Sequence, residues 1–338
     1  MIEKAIEKII QLEDLNYSTV EAVMDEIMCG KASPVQISAY LTAMAMKGES
    51  IDEISASAAG MRKHCISIHP KTDVLEIVGT GGDQSNSFNI STTASLVVSA
   101  AGVPVAKHGN RAASSKCGAA DVLEALGVNI SISASHSQKI LEQIGLCFLF
   151  AQNYHTAMKY VAPVRKELGI RTIFNLLGPL ANPAKATIQL LGVYKEDLVE
   201  PLARVLSNLG VKQAMVVYGQ DGLDEISMSA PTSVFEIRNG KSRSYVMKPE
   251  QYGFHRCDKR KLVGGSPEDN AKITREILSG KKSPQRDTVL LNAGAALYLA
   301  NPELTLEQGI SLAEITIDSG KALQRLEQLI ALSNEVIS

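Results

Sequence analysis

One stretch constrains the fold of this chain more than any other: Val74 to Arg111, VLEIVGTGGDQSNSFNISTTASLVVSAAGVPVAKHGNR. It opens with a short apolar run, Val74 to Val78, bounded by glycine, the pattern of a buried strand. The turn Gly79-Thr80-Gly81-Gly82-Asp83 comes next, and Asn89-Ile90-Ser91-Thr92-Thr93 opens a helical run to about Ala101, closed by Gly102. A second apolar run, Val103 to Ala106, ends on Lys107-His108-Gly109-Asn110-Arg111. Glycines at this density free the backbone to take φ > 0 and leave no Cβ between amide N–H groups and a ligand. A helix N-terminus just beyond adds unpaired N–H groups and a positive dipole end. Two strand ends thus deliver an amide-lined turn, hydroxyls and the cationic or potentially cationic Lys107, His108 and Arg111 toward one locus. That combination suits a highly charged phosphate ligand. Neither familiar nucleotide loop is present, because no Lys-Ser or Lys-Thr follows the glycines at P-loop spacing and G-x-G-x-x-G is missing.

The rest of the chain sets this stretch in an α/β context. With 338 residues, 45% of them hydrophobic, the chain can bury a sizeable core in one large or two unequal domains. A formal net charge of −2 gives no global attraction to nucleic acid or an anionic membrane. Cys29, Cys65, Cys117, Cys147 and Cys257 never fall in C-x-x-C spacing, which argues against a zinc cluster or disulfide framework and suits a reducing compartment. No apolar run approaches bilayer-spanning length, and the first residues carry Glu3, Glu7 and Glu13, unlike a secretory signal. A cytoplasmic location is expected.

Residues 1–70 read as a small all-helical domain. Ser18-Thr-Val-Glu21, Ser33-Pro-Val-Gln36 and Ser50-Ile-Asp-Glu53 have the form of capping boxes, with Gly30 and Gly48 closing the first two helices. From residue 71 to 338 strands and helices alternate, as in a central, mainly parallel sheet flanked by helices. Strands are predicted at 74–78, 103–106, 128–131, 146–150, 187–192, 213–218, 234–237 and 243–247. Helices are predicted at 90–101, 115–126, 136–144, 154–168, 171–177, 197–209, 268–279, 286–299, 306–318 and 321–335. Residues 238–267, rich in charge and glycine, look least structured.

Three further features carry chemistry. Ser114-Ser115-Lys116, ahead of a predicted helix, form a second candidate anion site, although a routine helix cap reads the same way. Asp224-Glu225, just past the strand Ala214 to Tyr218, offers the hard oxygens that Mg²⁺ takes, where the plain alternative is a solvated turn. Arg165 precedes an apolar, proline-bounded stretch, Ile173 to Pro179, and a guanidinium there could grip a carboxylate bidentately.

GTGGD, SFNIST, KHGNRAASSKCGAADVLEALG, RKELGIRTIFNLLGPLANP and DGLDE, in this order over essentially the whole chain, resemble the anthranilate phosphoribosyltransferase family. The resemblance implies transfer of 5-phosphoribose from phosphoribosyl pyrophosphate to the amine of anthranilate, a step of tryptophan biosynthesis. It assigns the donor to Gly79, Gly82, Asp83, Ser87, Asn89, Ile90, Ser91, Thr92, Lys107, His108, Gly109, Asn110, Arg111, Ala112, Ala113, Ser114, Ser115 and Ala119. Lys107 is expected as a point charge on phosphate, and no dedicated general base is expected. Anthranilate is assigned to Gly79, His108, Asn110, His155, Arg165 and Pro179, with Arg165 on its carboxylate. Ser91, Asp224 and Glu225 are implied as magnesium ligands, with two ions per subunit. The resemblance also implies that helices from about 154–180 rejoin the N-terminal ones, that a homodimer forms through the latter, and that the domains close over the substrates. No nucleic-acid or membrane partner is expected. Two rival readings lack their sequence marks. A nucleoside phosphorylase would need a base-recognition pattern not found here. A nucleic-acid-binding relative would lack the acidic pair and carry excess positive charge.

Overall fold

The computed structural model describes residues 1–112 and 115–335. Four helices open the chain: α1 (Ile2–Ile9), α2 (Tyr17–Met28), α3 (Pro34–Lys47) and α4 (Ile51–Lys63). The boxes at Ser33 and Ser50 form as predicted, each side chain accepting from the third helical N–H while Gln36 or Glu53 reaches back. The one at Ser18 does not. There α2 starts earlier, and Asn16 caps it by accepting from the Thr19 N–H. Asparagine caps as well as serine, and the earlier start lengthens the helix.

The α/β part follows with β1 (Leu75–Gly79), α5 (Ile90–Ala100), β2 (Val105–Gly109), α6 (Ala119–Leu126), α7 (Ala134–Ile144) and β3 (Leu146–Phe150). Next come α8 (Ala151–Tyr154), α9 (Ala162–Leu168), α10 (Phe174–Leu180), β4 (Ile188–Gly192), α11 (Val199–Asn208) and β5 (Gln213–Gly219). The chain continues through β6 (Thr232–Arg238), β7 (Lys241–Met247), α12 (Pro267–Leu278), α13 (Pro284–Ala300), α14 (Leu306–Asp318) and α15 (Lys321–Ser333). The sheet order is β3-β2-β1-β4-β5-β6-β7, parallel from β3 to β5 and antiparallel over the last two pairings.

Three local readings are corrected. Residues 128–131 form no strand: Val128 and Ile130 bury into the core from an extended segment that pairs with nothing. Helix α6 begins at Ala119, not 115. The predicted helix over 154–168 breaks into a 3₁₀ turn, Thr156–Tyr160, before α9, and its successor runs 174–180. Residues 238–267 hold the strand β7 and two short 3₁₀ turns.

The chain leaves β1 toward β2 and β3 on one side, then returns to β4 on the other and continues to β5. Such a reversal opens a crevice beyond the carboxyl ends of β1 and β4, where open α/β sheets bind ligands. One face of the sheet, with Leu75, Ile77, Val105 and Leu190, packs against α5 and α13. The other face joins a second apolar cluster, in which Leu191, Val216 and α11 meet the N-terminal helices and residues 161–181.

Helix α4 is tied to its neighbours by a buried ion pair. Glu53 is fully buried, and its carboxylate accepts from Leu15 N–H (2.9 Å), Ser50 N–H (2.8 Å) and the largely buried Lys47 Nζ (2.8 Å). Deleting the carboxylate strands two amides and leaves the Lys47 ammonium with Asp14 and the Gly48 carbonyl alone, so Glu53→Ala should destabilise the protein by about 2 kcal/mol in urea unfolding.

Candidate active site

Gly79 ends β1, Gly192 ends β4, and the two are register partners across the crevice. The loop after β5 drops Asp224 into the space their missing side chains leave. A Cβ on Gly192 would lie inside the Asp224 carbonyl, and one on Gly79 would overlap the Asp224 carboxylate. The glycine turn closes over the same carboxylate: Gly81 N–H donates to Asp224 Oδ2 at 2.7 Å, with Gly81 and Gly82 both at positive φ. Asp83 faces the loop from the other side, its Oδ1 accepting from Ser85 N–H (3.2 Å) and its Oδ2 from Asp224 N–H (3.4 Å). It shapes the turn.

Glu225 lies at the start of α5, where its Oε1 accepts from Ser91 N–H at 3.2 Å. Lys107, on β2, stands directly behind: its ammonium donates to Ile77 O (2.7 Å) and Ser91 Oγ (3.2 Å), and the side chain is almost wholly buried. Burial lowers the Lys107 pKa, opposed by the charges of Glu76 and Glu225. Burial raises Asp224, and repulsion from Asp83 and Glu225 pushes it further the same way. Glu225 is also raised, chiefly by burial, with Lys107 pulling it back.

Buried hard-oxygen ligands that repel one another, with one ammonium behind Glu225 and neither imidazole nor thiolate alongside, fit a divalent cation of the magnesium type. Among the described residues no trio of acidic, histidine or cysteine side chains closes into a complete metal set. Asp224, Glu225 and the Ser91 hydroxyl would therefore be supplemented by water and phosphate oxygens.

The residues expected to hold the donor lie on the elements around this core. Asn89 caps the start of α5 without a side-chain bond to the helix. Its side chain instead links Cys117 at both ends: Nδ2 donates to Cys117 O (3.3 Å), and Cys117 Sγ–H donates to Oδ1 (3.2 Å). Ile90 and Thr92 are buried on α5, and Ser87 forms an isolated bridge with Val263. At the second anion site the picture differs from the sequence reading. Ser115 lies outside α6, whose capping position is Gly118, and the Asp121 carboxylate already accepts from Gly118 N–H (2.8 Å) and Ala112 N–H (2.9 Å). Arg111 is not a free cation either: it pairs with Asp121 (3.1 Å) and with Glu124. Gly109 and Ala119 meet where β2 passes α6, and the Asn110 carbonyl accepts from Ala120 N–H. Ala113 and Ser114 lie outside the described residues.

Of the residues expected to meet the acceptor, His108 and His155 bury their rings against each other, centroids 5.1 Å apart. The His108 ring lies against the Gly178 backbone and the His155 ring against the Ala181 backbone, and both Nε2 atoms are buried without a partner. Burial holds His108 down to about 3 and His155 to about 4, so His108, potentially cationic in the sequence, is a neutral ring here. Arg165 lies on α9 with its guanidinium 5.6 Å from the centre of the Phe174 ring, and burial lowers its pKa. Pro179 is buried inside α10.

Several contributors escaped the sequence reading. Gly192 stands there only as the end of a strand. Asn292 of α13 brackets Ile226, accepting its N–H (3.1 Å) and donating to its carbonyl (2.9 Å), and so fixes the acidic loop from below. Arg171 donates to Gly82 O (2.5 Å) and stacks over Tyr194, tying the segment before α10 to the glycine turn. Only Gly192 left a sequence signal, a glycine closing an apolar strand. A surface groove of about 770 Å³ beside α11 and β7, lined by Glu200, Phe235 and Tyr245, lies apart from all these groups.

Residues 3–65 match the helical bundle domain, and residues 71–323 the a/b domain, of the glycosyl transferase family. The chain is 63% identical over 334 residues to an anthranilate phosphoribosyltransferase of Lachnoclostridium phytofermentans, covering 99% of each. Its structure resembles that of the anthranilate phosphoribosyltransferase of Thermus thermophilus at a TM-score of 0.93, with 42% identity over 98% of this chain and 99% of that one. The enzyme of Saccharomyces cerevisiae, solved in complex with PRPP and Mg, matches at a TM-score of 0.91 with 30% identity, over 99% of this chain and 98% of that one. The chain belongs to the glycosyl transferase family with a helical bundle and an a/b domain, and within it to the anthranilate phosphoribosyltransferases.

Two outcomes test this geometry. Gly192→Ala forces the Asp224 backbone aside and should cut activity by about a hundredfold or more, as misplacement by an ångström does. The two histidines have folded pKa values below their ordinary 6.5, so the unfolded chain binds more protons as pH falls. Their contribution to stability is complete above about pH 6.5 and is lost toward pH 3–4, with a slope of up to about 1.4 kcal/mol per pH unit for each ring. Urea midpoints should fall from pH 7 to 4, and less steeply in His108→Asn/His155→Asn.

Proposed function

We propose that this protein transfers 5-phosphoribose from phosphoribosyl pyrophosphate to the amine of anthranilate, giving N-(5-phosphoribosyl)anthranilate and pyrophosphate. The observation that carries the reading is the crevice at Gly79 and Gly192. There amides, an acid pair and one buried ammonium converge in a chain related over its full length to enzymes named for this reaction. On this reading the turn from Gly79 to Asp83 and the α5 start from Ser87 to Thr92 hold the pyrophosphate and ribose. The segment from Lys107 to Ser115, with Ala119, wraps the ribosyl phosphate. Gly79, Asn110, Arg165, His108, His155 and Pro179 bound the acceptor.

In the step itself the amine nitrogen forms a bond to ribose C1 as the C1–oxygen bond to pyrophosphate breaks, and the amine proton leaves to solvent or to the departing pyrophosphate. An aniline nitrogen is already neutral at pH 7, so no dedicated general base is assigned. Lys107 contributes its field from behind Ser91, in a water-poor site where a fixed positive charge favours a departing anion. Arg165, partly buried and with no acidic partner in hydrogen-bond range among the described residues, is suited to the acceptor carboxylate. Mg²⁺ held by Asp224, Glu225 and Ser91, in two ions on this reading, would supply charge neutralisation for the pyrophosphate.

The proposal also takes residues 1–70 with about 154–180 as the helical domain and 71–338 as the donor-binding domain. It includes a homodimer through the N-terminal helices and a cytoplasmic setting. Among the described residues no helix is long and apolar enough to cross a membrane.

Anthranilate fluorescence should decay when the protein meets anthranilate, phosphoribosyl pyrophosphate and Mg²⁺, and persistence of the signal refutes the assignment. Arg165→Ala should raise the KM for anthranilate about tenfold or more, the size of a lost charged hydrogen bond, with little change in the KM for the donor.

A further inference from the structure

Two successive carbonyls at the end of α10, those of Pro179 and Leu180, are each held by a buried side chain from a different place in the chain. Gln189 Nε2 of β4 donates to Pro179 O at 2.7 Å. Arg62 Nε of α4 donates to Leu180 O at 2.7 Å. The last carbonyls of a helix have no partner within the helix, so something must satisfy them. Solvent usually does this. Here the segment is sealed, and donors are provided one by one.

Neither Gln189 nor Arg62 carries a role in binding either substrate. Gln189 is fully buried in a parallel strand, where an apolar residue would be expected, and its Oε1 atom has no partner. It is the register partner of Glu76 on β1, whose own Oε1 accepts from His108 N–H at 3.1 Å. Arg62 uses its second branch on Leu209 O (3.1 Å), so one guanidinium covers the ends of both α10 and α11, where the helix dipoles favour a cation. Two long polar side chains buried this deeply are costly unless their bonds set something in place. What they set is the wall formed by Gly178 and Pro179, on which the His108–His155 ring pair also rests.

We propose that Gln189 and Arg62 are positioning residues for the aromatic acceptor, acting through the Pro179 and Leu180 carbonyls to fix the wall against which the acceptor ring packs. This rests on the reading of Pro179 as part of the acceptor site. Gln189→Met keeps length and apolar volume but removes the donor. The expected result is a rise of roughly tenfold in the KM for anthranilate, the size one buried hydrogen bond commands, with the KM for phosphoribosyl pyrophosphate changed by less than about twofold. Arg62→Met should act in the same direction, and Arg62→Lys, which restores one donor, should recover most of the loss.

A merely structural role moves different quantities. It would lower the melting temperature and the active fraction while leaving both KM values alone, and that outcome overturns the proposal. Should Arg62→Met fail to fold, Gln189→Met and Arg62→Lys still decide the matter. Hydrogen exchange of peptides covering 174–182 in Gln189→Met should also rise with the KM, and unchanged exchange counts against the proposal. Failure of the functional reading would look different: the unmodified protein would then consume no anthranilate at all.

Discussion

Everything in the site depends on an exclusion of atoms. Two strand ends lie side by side in the middle of the sheet, and both are glycine, so the loop carrying Asp224 can settle onto the backbone of β4 and reach across β1. Any side chain at either position would occupy the place of that loop. With the loop seated, Gly81 bonds Asp224, Glu225 meets the first turn of α5, and Lys107 supplies the one ammonium within reach among the described residues. The topology brings β1 and β4 together, and the glycines make their junction usable.

The electrostatics of this junction follow from burial. Carboxylates and an ammonium removed from water hold their charges poorly, and each shift runs in the direction that neutralises the group. A polyphosphate and its divalent counterion would reverse the balance, drawing the acids back to their ionised forms. The site is therefore built to be completed by its ligands, as is usual where charge must be stabilised during a reaction.

Much of the architecture was legible because it rests on local chemistry. Two capping boxes, the glycine turn and the apolar runs of the parallel strands each announce their structure within a few residues. The misreadings share a cause in longer-range contacts. Val128 and Ile130 alternate like a strand, yet no neighbouring edge pairs with them, so they only fill the core. Arg111 reads as a cation in isolation, and His108 as a potential one. Asp121 and Glu124, a helix away, neutralise the first, and the packing of His155 and the α10 end keeps the second uncharged. Gln189 and Asn292 were invisible for a related reason. A single amide in an apolar run says nothing about which backbone atoms it will meet.

The second apolar cluster bears on how the protein is divided. Its members come from the opening helices, from residues 161–181 and from the β4–α11–β5 layer, all in one continuous apolar interior. The linker between residues 65 and 71 thus separates the family's matched helical bundle and a/b domains without being a boundary in cohesion. Severed there, the opening helices would lose much of the apolar surface they pack against, while the a/b piece would keep the cluster around α5 and α13 and lay bare the face formed by α11, β4 and β5.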